Sequence, residues 1–521
     1  MDLTMLKPRT IGDITHLWAR RVPDRVALRD PQGKQLTYGQ LDALANRLAQ
    51  GLIALGLRTG DRVATWMTDG FEYVEIYLAC AKAGLVVCPV NERQTASEAT
   101  YVLEDTGARL LVHADAVDAK VAQLPAALRD SLRIVRAAPG TEWPELASNT
   151  TEPPGMPLDP ESPVVIGYTS GTTGRPKGAI LTHRSVLEIA RINTASYRLG
   201  AYPRTALTGS MSFASVVPAH VLCTLRLGGT LTIMGAWTVD ELIAVLERDL
   251  VTFIYVSSPR IDEVAEALAK SPDAWRNLRS VMHSASRARP AQLALLTRVV
   301  GPRVVEGWGM TENSGGLMTA TLGHEMLGAD GDDHWSYATV GVPALDTEVR
   351  VADVDGRELP HDGESVGELW FRSPGLFAGY WNRPEATAAA LVDGWFRTGD
   401  LGSIDRDGYV FVSERRTDLI VSGGANVYPS EVEDCIAAVP GVVEVAVVGA
   451  EHARWGQTVV AVVVREGPES PTEEEILEQC RIHLAGYKKP TRIYFVDSLP
   501  RTASQKVQRA SVRELVKTWS A

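Results

Sequence analysis

The stretch Tyr168-Thr169-Ser170-Gly171-Thr172-Thr173-Gly174-Arg175-Pro176-Lys177-Gly178 constrains this chain more than any other. The apolar run Val164-Val165-Ile166 before it predicts a short buried strand. Beyond it, residues 184–198 carry Val186, Ile189 and Ala190 at helical spacing. A strand therefore enters a loop rich in glycine and hydroxyl groups, and a helix follows. Glycines let backbone N–H groups turn toward one point, and a polyphosphate oxyanion best satisfies such converging donors. Ser170, Thr172 and Thr173 add hydroxyl donors, and Lys177 adds a neutralising charge. The Walker spacing G-x-x-x-x-G-K-[ST] is not met, because Arg175 and Pro176 separate Gly174 from Lys177. A flexible polar surface loop would share the glycines and hydroxyls. The added Pro176-Lys177-Gly178 weighs against it.

The chain has 521 residues, 45% hydrophobic and 22% charged, which suits a globular protein with more than one domain and a large core. Its net charge of −12 argues against duplex nucleic acid as a partner. Cys80, Cys88, Cys223, Cys435 and Cys480 form no C-x-x-C pair and read as buried or incidental thiols. The first residues lack a basic-then-apolar signal, and no long apolar run predicts a membrane span. A cytoplasmic location is expected, with a homodimer compatible.

Residues 36–58 place Leu41, Leu44, Ala45, Leu48, Leu52 and Leu55 on one helical stripe, and residues 62–66 resume as a strand. Residues 71–82 predict a helix that stops at Gly84, followed by strand-like residues 85–90. Residues 230–234 and 251–257 continue the strands. Alternating helix and strand implies an α/β fold of doubly wound, mostly parallel sheets. Residues 150–163, rich in Pro, Glu and Asp, read as an exposed connection. From Val340 short strands at 347–354, 368–372 and 409–413 suggest a β-rich subdomain. The tail carries strand-like runs at 442–448 and 459–464. Thr472-Glu473-Glu474-Glu475 there is a capping box opening a helix to about His483. A large N-terminal domain, 1–416, and a small α+β C-terminal domain, 417–521, are expected.

Gly307-Trp308-Gly309-Met310-Thr311-Glu312 offers a ring between glycines, suited to a purine, and a carboxylate suited to a hard cation. Alone it would read as a tight turn with a core tryptophan. In Gly394-Trp395-Phe396-Arg397-Thr398-Gly399-Asp400-Leu401 the lone Asp would ordinarily be a turn residue. The run from Asp418 to Glu433 carries the pair Gly423-Gly424, which permits close backbone approach. Pro500-Arg501-Thr502-Ala503-Ser504-Gln505-Lys506 ends on a lysine that, in isolation, would be a solvated surface group.

These motifs, in this order and spanning essentially the whole chain, resemble the adenylate-forming superfamily: acyl- and aryl-CoA synthetases, peptide-synthetase adenylation domains and beetle luciferases. The resemblance implies ATP, Mg²⁺ and coenzyme A as co-substrates and cofactor. It implies phosphate binding by Thr169, Ser170, Gly171, Thr172, Thr173, Gly174, Lys177 and Thr311. Gly307 and Trp308 would serve adenine, Asp400 and Arg415 the ribose, and Glu312 the Mg²⁺. Many relatives have Tyr at the Trp308 position. Lys506 would be the catalytic lysine, on a C-terminal domain that rotates about a hinge at Thr417. Gly423 and Gly424 would line the CoA channel. Two departures stand out: the hinge is usually Asp or Lys, and Gln505 replaces a glycine.

The segment Ser210-Met211-Ser212-Phe213-Ala214-Ser215-Val216-Val217 aligns with the family's acid-pocket motif. Amino-acid-activating relatives carry Asp where Ala214 stands. A buried ammonium without a counter-ion is costly, so an α-amino acid is not expected. Phe213, Ala214, Val217, Gly309, Met310, Gly315, Gly316 and Met318 suggest a roomy apolar pocket for a medium-chain, alicyclic or aryl acid. No carrier domain follows the tail, so free CoA is the expected acceptor. The alternatives are a separate carrier protein as acceptor and a non-catalytic nucleotide-binding relative.

Overall fold

The computed structural model describes residues 8–137, 143, 146–169, 176–285, 288–326, 334–415, 418–422, 425–427, 429–452, 455–467, 471–484, 486–502 and 506–520. Among the described residues four sheets form. The first runs Arg133–Ala137, Leu110–Ala114, Arg62–Trp66, Val86–Pro89, Pro163–Thr169, Lys177–Thr182; all neighbours are parallel except the last pair. Leu110–Ala114 is buried at every position, as a parallel strand covered on both faces requires. The second sheet has nine strands, with a parallel centre of Val304–Gly309, Ser280–His283, Phe253–Tyr255, Arg204–Leu207, Thr230–Ile233 and Val26–Arg29.

One apolar cluster joins the two sheets. It takes Val63, Val87 and Val165 from the first, Leu207, Leu231 and Val305 from the second, and Leu48 and Ile76 from two helices. Those helices, Tyr38–Ala54 and Phe71–Ala83, stop where the glycines predicted, with Gly84 at φ 67° as the C-cap. Phe71–Ala83 is buried on all sides except at Glu72. Two of its charged members find partners inside the fold. Lys82 Nζ donates to Asp42 Oδ1 at 2.8 Å, and Asp42 also accepts from Thr15 Oγ1 at 2.8 Å. Glu75 accepts from Trp143 Nε1 at 2.7 Å, and burial pushes its carboxyl up to about 7.

A five-stranded antiparallel unit holds Glu348–Ala352, Gly367–Arg372, Trp395–Ile404, Leu391–Val392 and Val410–Arg415. It is the β-rich subdomain the turn spacing predicted. The fourth sheet joins Ala425–Val427, Ile420–Ser422, Gly456–Arg465, Val442–His452 and Arg492–Phe495. The capping box forms as expected: Thr472 Oγ1 accepts Glu475 N, and Glu475 Oε2 accepts Thr472 N at 2.8 Å. The last helix, Arg509–Ser520, is tied down by Arg513 to Asp418 at 2.7 Å and Arg509 to Glu433 at 2.6 Å. Cys80, Cys88, Cys223 and Cys480 are buried, and no cysteine is in a disulfide. Among the described residues no helix is long and apolar enough to cross a membrane.

One local expectation is corrected and one ordinary local preference is overridden. The loop is not followed directly by a helix: Lys177–Thr182 first returns antiparallel along Pro163–Thr169, and the helix His183–Ser196 comes after it. Asp400 is not in a free turn either, but inside the strand Trp395–Ile404, where cross-strand pairing with Gly367–Arg372 overrides local turn preference.

The buried ion pair yields a stability test. Lys82→Ala removes the ammonium from buried Asp42, leaving His16 at 3.5 Å, and should cost about 3–5 kcal/mol in denaturant unfolding. The double change Asp42→Leu with Lys82→Met should cost less than the single Lys82→Ala.

Candidate active site

The glycine- and hydroxyl-rich loop spans the open end of a hairpin. Thr169 and Lys177 face each other in register, with Thr169 Oγ1 3.4 Å from the Lys177 carbonyl. Ser170, Gly171, Thr172, Thr173 and Gly174 lie outside the described residues. A distant segment zips onto the outer edge of the returning strand. Ala378 N donates to Ile180 O at 2.8 Å, Ile180 N to Gly379 O at 2.9 Å and Trp381 N to Gly178 O at 2.7 Å. This seats Tyr380 under Lys177, whose Nζ is 5.1 Å from the ring centroid. Tyr380 Oη donates to Glu312 Oε1 at 2.8 Å. The sequence reading missed Tyr380. Its one signal is the aromatic group Phe377, Tyr380 and Trp381 around Gly379, which alone reads as a turn.

Gly307 to Glu312 leave the strand Val304–Gly309 into a short 3-10 turn, Thr311–Asn313. Beneath them Ser258 Oγ lies 2.8 Å from His283 Nε2, and His283 Nδ1 lies 2.6 Å from Glu306 Oε2. This polar chain, also missed in the sequence, ties the ends of three adjacent parallel strands together just before Trp308. Trp308 is 8% exposed and packs with Met318, Val351, Leu369 and Phe371. Its Nε1 donates to Asp400 Oδ2 at 2.8 Å, and Asp400 pairs in register with Arg415. The four residues assigned to adenosine, Gly307, Trp308, Asp400 and Arg415, are thus brought together; the Arg415 side chain lies outside the described residues. The flanking glycines do not open the ring on both sides. A Cβ at Gly307 would sit 2.8 Å from the Leu317 side chain, and one at Gly309 2.5 Å from the Gly316 carbonyl, so both serve hairpin packing.

The acid-pocket segment follows the strand Arg204–Leu207. It ends in a π-helical turn, Val217–Val221, a distortion common at functional sites. Phe213, Ala214, Tyr255 and Met310 are part-exposed against the core that joins the two sheets, as the lining of a cleft would be. Val217 is buried at 3%. Two expected sources of room are filled. A Cβ at Gly315 would lie 2.4 Å from Ser215 Cα, and one at Gly316 would lie 2.5 Å from Ile189 Cγ2. Met318 is fully buried in the cluster with Trp308 and does not join Phe213 and Ala214. The missed position is Gly167, on the strand that leads into the phosphate loop. A Cβ there would lie 2.5 Å from Ala214 Cβ and 3.2 Å from Thr311 Cγ2. Three separate motifs meet at that atom-free spot.

A buried carboxylate pins the acid-pocket segment. Asp69 Oδ1 accepts from Met211 N at 2.6 Å and from Ser210 Oγ at 3.3 Å. Ser212 Oγ lies 2.9 Å from Ser210 Oγ and accepts from Asn91 Nδ2 at 3.0 Å. Burial pushes Asp69 up to about 6, the Met211 and Ser210 bonds pull it back, and Glu92 adds to the rise.

Among the described residues no group of three or more His, Cys, Asp or Glu could hold a metal alone. A single buried carboxylate, Glu312, linked through Tyr380 to Lys177, nevertheless fits Mg²⁺, which usually takes one or two carboxylates plus substrate phosphates. Lys506 is exposed, and its carbonyl accepts from Thr502 N at 2.8 Å. Thr417, Gly423, Gly424, Gln505 and Arg287 lie outside the described residues.

A family model described as AMP-binding enzyme matches residues 16–381, and one described as AMP-binding enzyme C-terminal domain matches 431–506. The chain is 36% identical over 502 residues to a feruloyl-CoA synthase of an Amycolatopsis species, covering 95% of this chain and 96% of the relative. It is 33% identical over 513 residues to the fatty acid–[acyl-carrier-protein] ligase ScoC of Streptomyces coeruleorubidus, covering 97% and 96%. Among solved structures, ATP-bound MatB from Rhodopseudomonas palustris superimposes with a TM-score of 0.86 at 30% identity, over 96% of this chain and 99% of that one.

Two tests follow from this geometry. Gly167→Ala should cost about 1–3 kcal/mol in denaturant unfolding through overpacking, and adding Ala214→Gly, which removes the atom it meets, should recover most of the loss. Asp69 has a folded pKa raised above its unfolded value, so its contribution is fully present below about pH 4 and is lost as pH rises toward about 6. Relative to the parent, Asp69→Asn should gain stability across that window, on the order of 1–3 kcal/mol, and hold the gain unchanged from pH 7 to 8. A flat difference between pH 4 and 6 would contradict this.

Proposed function

The chain belongs to the AMP-binding, adenylate-forming enzymes and is an AMP-forming acid–thiol ligase; on that premise we propose that it converts a medium-chain aliphatic, alicyclic or aryl carboxylic acid to its CoA thioester. The observation that carries this reading is the meeting at Gly167 of the phosphate-loop strand, Ala214 of the acid segment and Thr311. That contact supports a carboxylate in the cleft lying within reach of a phosphate chain at the loop, the proximity an in-line displacement needs.

In the first half-reaction a carboxylate oxygen attacks the α-phosphorus of ATP, and the bond to the β-phosphate breaks to release pyrophosphate. Thr169, Ser170, Gly171, Thr172, Thr173, Gly174, Lys177 and Thr311 would bind the phosphates, with Trp308, Asp400 and Arg415 on the nucleoside. Glu312 would hold Mg²⁺, which supplies charge neutralisation on the phosphates. Lys506 would bring a flexible ammonium to the carboxylate and α-phosphate, offsetting charge in the transition state. In the second half the CoA sulfur attacks the acyl carbon and AMP leaves. The mobile domain, 417–521 beyond the 1–416 body, would turn at Thr417 and present Gly423 and Gly424 to the pantetheine arm. The lack of a carboxylate at Ala214 supports an acid without an α-ammonium group.

A second acceptor deserves a test, because one relative is named as a carrier-protein ligase. Acid-dependent ATP–pyrophosphate exchange over acids graded by length and ring size, followed by AMP release with CoA or with a carrier protein, decides both questions. Exchange with no acid at all would contradict the proposal, and AMP release driven by carrier and not by CoA would move it to the second acceptor. Lys506→Ala should lower exchange by on the order of 100-fold or more while sparing thioester formation from pre-made acyl-adenylate; equal loss of both would contradict the two-stage scheme.

A further inference from the structure

We propose that Tyr380 is a positioning residue for the phosphate-and-metal end of the site, holding Lys177 and Glu312 apart and aiming both. The inference rests on the adenylation reading and adds to it a residue that reading does not assign. Its basis is first the backbone. The segment 378–381 is fixed to the strand Lys177–Thr182 by three main-chain hydrogen bonds, which hold the Tyr380 backbone beside the strand that begins at Lys177. Phe377, on the same segment, donates its N–H to the Glu312 carbonyl at 2.8 Å. The Phe377 ring stands edge-on to Tyr380, with centroids 4.9 Å apart, and to Phe396 at 5.5 Å. One segment therefore grips Glu312 by its main chain and by its carboxylate.

The chemistry of the ring explains what the grip is for. An ionised carboxylate only accepts, so the Tyr380 hydroxyl donates to Glu312. An ammonium is drawn to the face of an aromatic ring, and Lys177 lies there. Two opposite charges thus engage the two ends of one side chain, and among the described residues no ion pair joins Lys177 to Glu312. A direct pair would have to break before a triphosphate could use the cation, and breaking a partly buried pair is expensive. The attraction of an ammonium to a ring is weaker than its bond to phosphate, so an arriving anion takes Lys177 readily. Glu312 stays oriented for the cation that accompanies the phosphates, as outer-shell hydrogen bonds orient metal ligands generally.

The test reads ATP binding by calorimetry on the full chain, without acid or CoA, in EDTA and across a Mg²⁺ series. Tyr380→Phe keeps the ring and removes the hydroxyl. It should leave the affinity in EDTA unchanged and raise the Mg²⁺ needed for half-maximal tightening about tenfold. Tyr380→Leu removes the ring as well. It should also weaken binding in EDTA, by about tenfold, as Lys177 collapses onto Glu312, and Glu312→Gln in that background should restore it. A Tyr380→Phe curve that superimposes on the parent's overturns the proposal, as does a Tyr380→Leu chain that matches Tyr380→Phe in EDTA. A parent that binds no ATP overturns both this proposal and the reaction above. A parent that binds ATP but exchanges pyrophosphate with no acid contradicts the reaction alone.

Discussion

Two sheets that share no strand meet where Gly167 of one lies against Ala214 and Thr311, in segments that follow two strands of the other, and a side chain at position 167 would collide with both. The strand Pro163–Thr169 is otherwise apolar and buried over Val164–Gly167. Its place in the core and its place beside the candidate site are the same: it packs against the segments that follow the strands Arg204–Leu207 and Val304–Gly309 of the nine-stranded sheet. Open parallel sheets place ligands at the carboxyl ends of their strands because the loops there are free to vary while the strands beneath stay fixed. Here the strands beneath are fixed by polar as well as apolar contacts, since Ser258, His283 and Glu306 bridge three of them.

The polar groups near the site share one arrangement: each is held by a neighbour that leaves its function intact. The Trp308 indole donates to Asp400, which fixes the ring's plane relative to the carboxylate expected at the ribose. Asp69, which follows the strand Arg62–Trp66 of the other sheet, holds the Met211 N–H and the Ser210 hydroxyl and so pins the start of the acid segment. Such fixed dipoles need little reorganisation when charge develops, which is where enzymes of this kind gain most of their rate.

Much of this was legible in the sequence. The long apolar stripes and the glycine stops gave the helices Tyr38–Ala54 and Phe71–Ala83, and Thr472 with Glu475 gave a helix start to the residue. What stayed illegible depended on partners remote in the chain. Lys177–Thr182 is a strand because it is paired on both edges, once by its neighbour and once by the 378–381 segment. Trp395–Ile404 contains Thr398, Gly399 and Asp400, residues that ordinarily mark a turn, yet cross-strand pairing holds it extended. Glycine was the harder case. A sequence says that Gly309, Gly315 and Gly316 are small, but not whether the space is empty; here Gly316, Ser215 and Ile189 fill it. Tyr380 gave only the weak signal of an aromatic cluster around Gly379, because its meaning lies in one contact to Lys177 and another to Glu312.

The central claim is that one cleft holds nucleoside, phosphate and acyl group in a line past Gly167. A crystal structure with a non-hydrolysable acyl-sulfamoyl adenosine measures this most directly. The account predicts the purine against Trp308, the ribose hydroxyls on Asp400, the sulfamoyl group between Thr311 and the phosphate loop, and the acyl chain running past Ala214 and Phe213. An analogue seated elsewhere, or an acyl chain pointing away from Ala214, would contradict it.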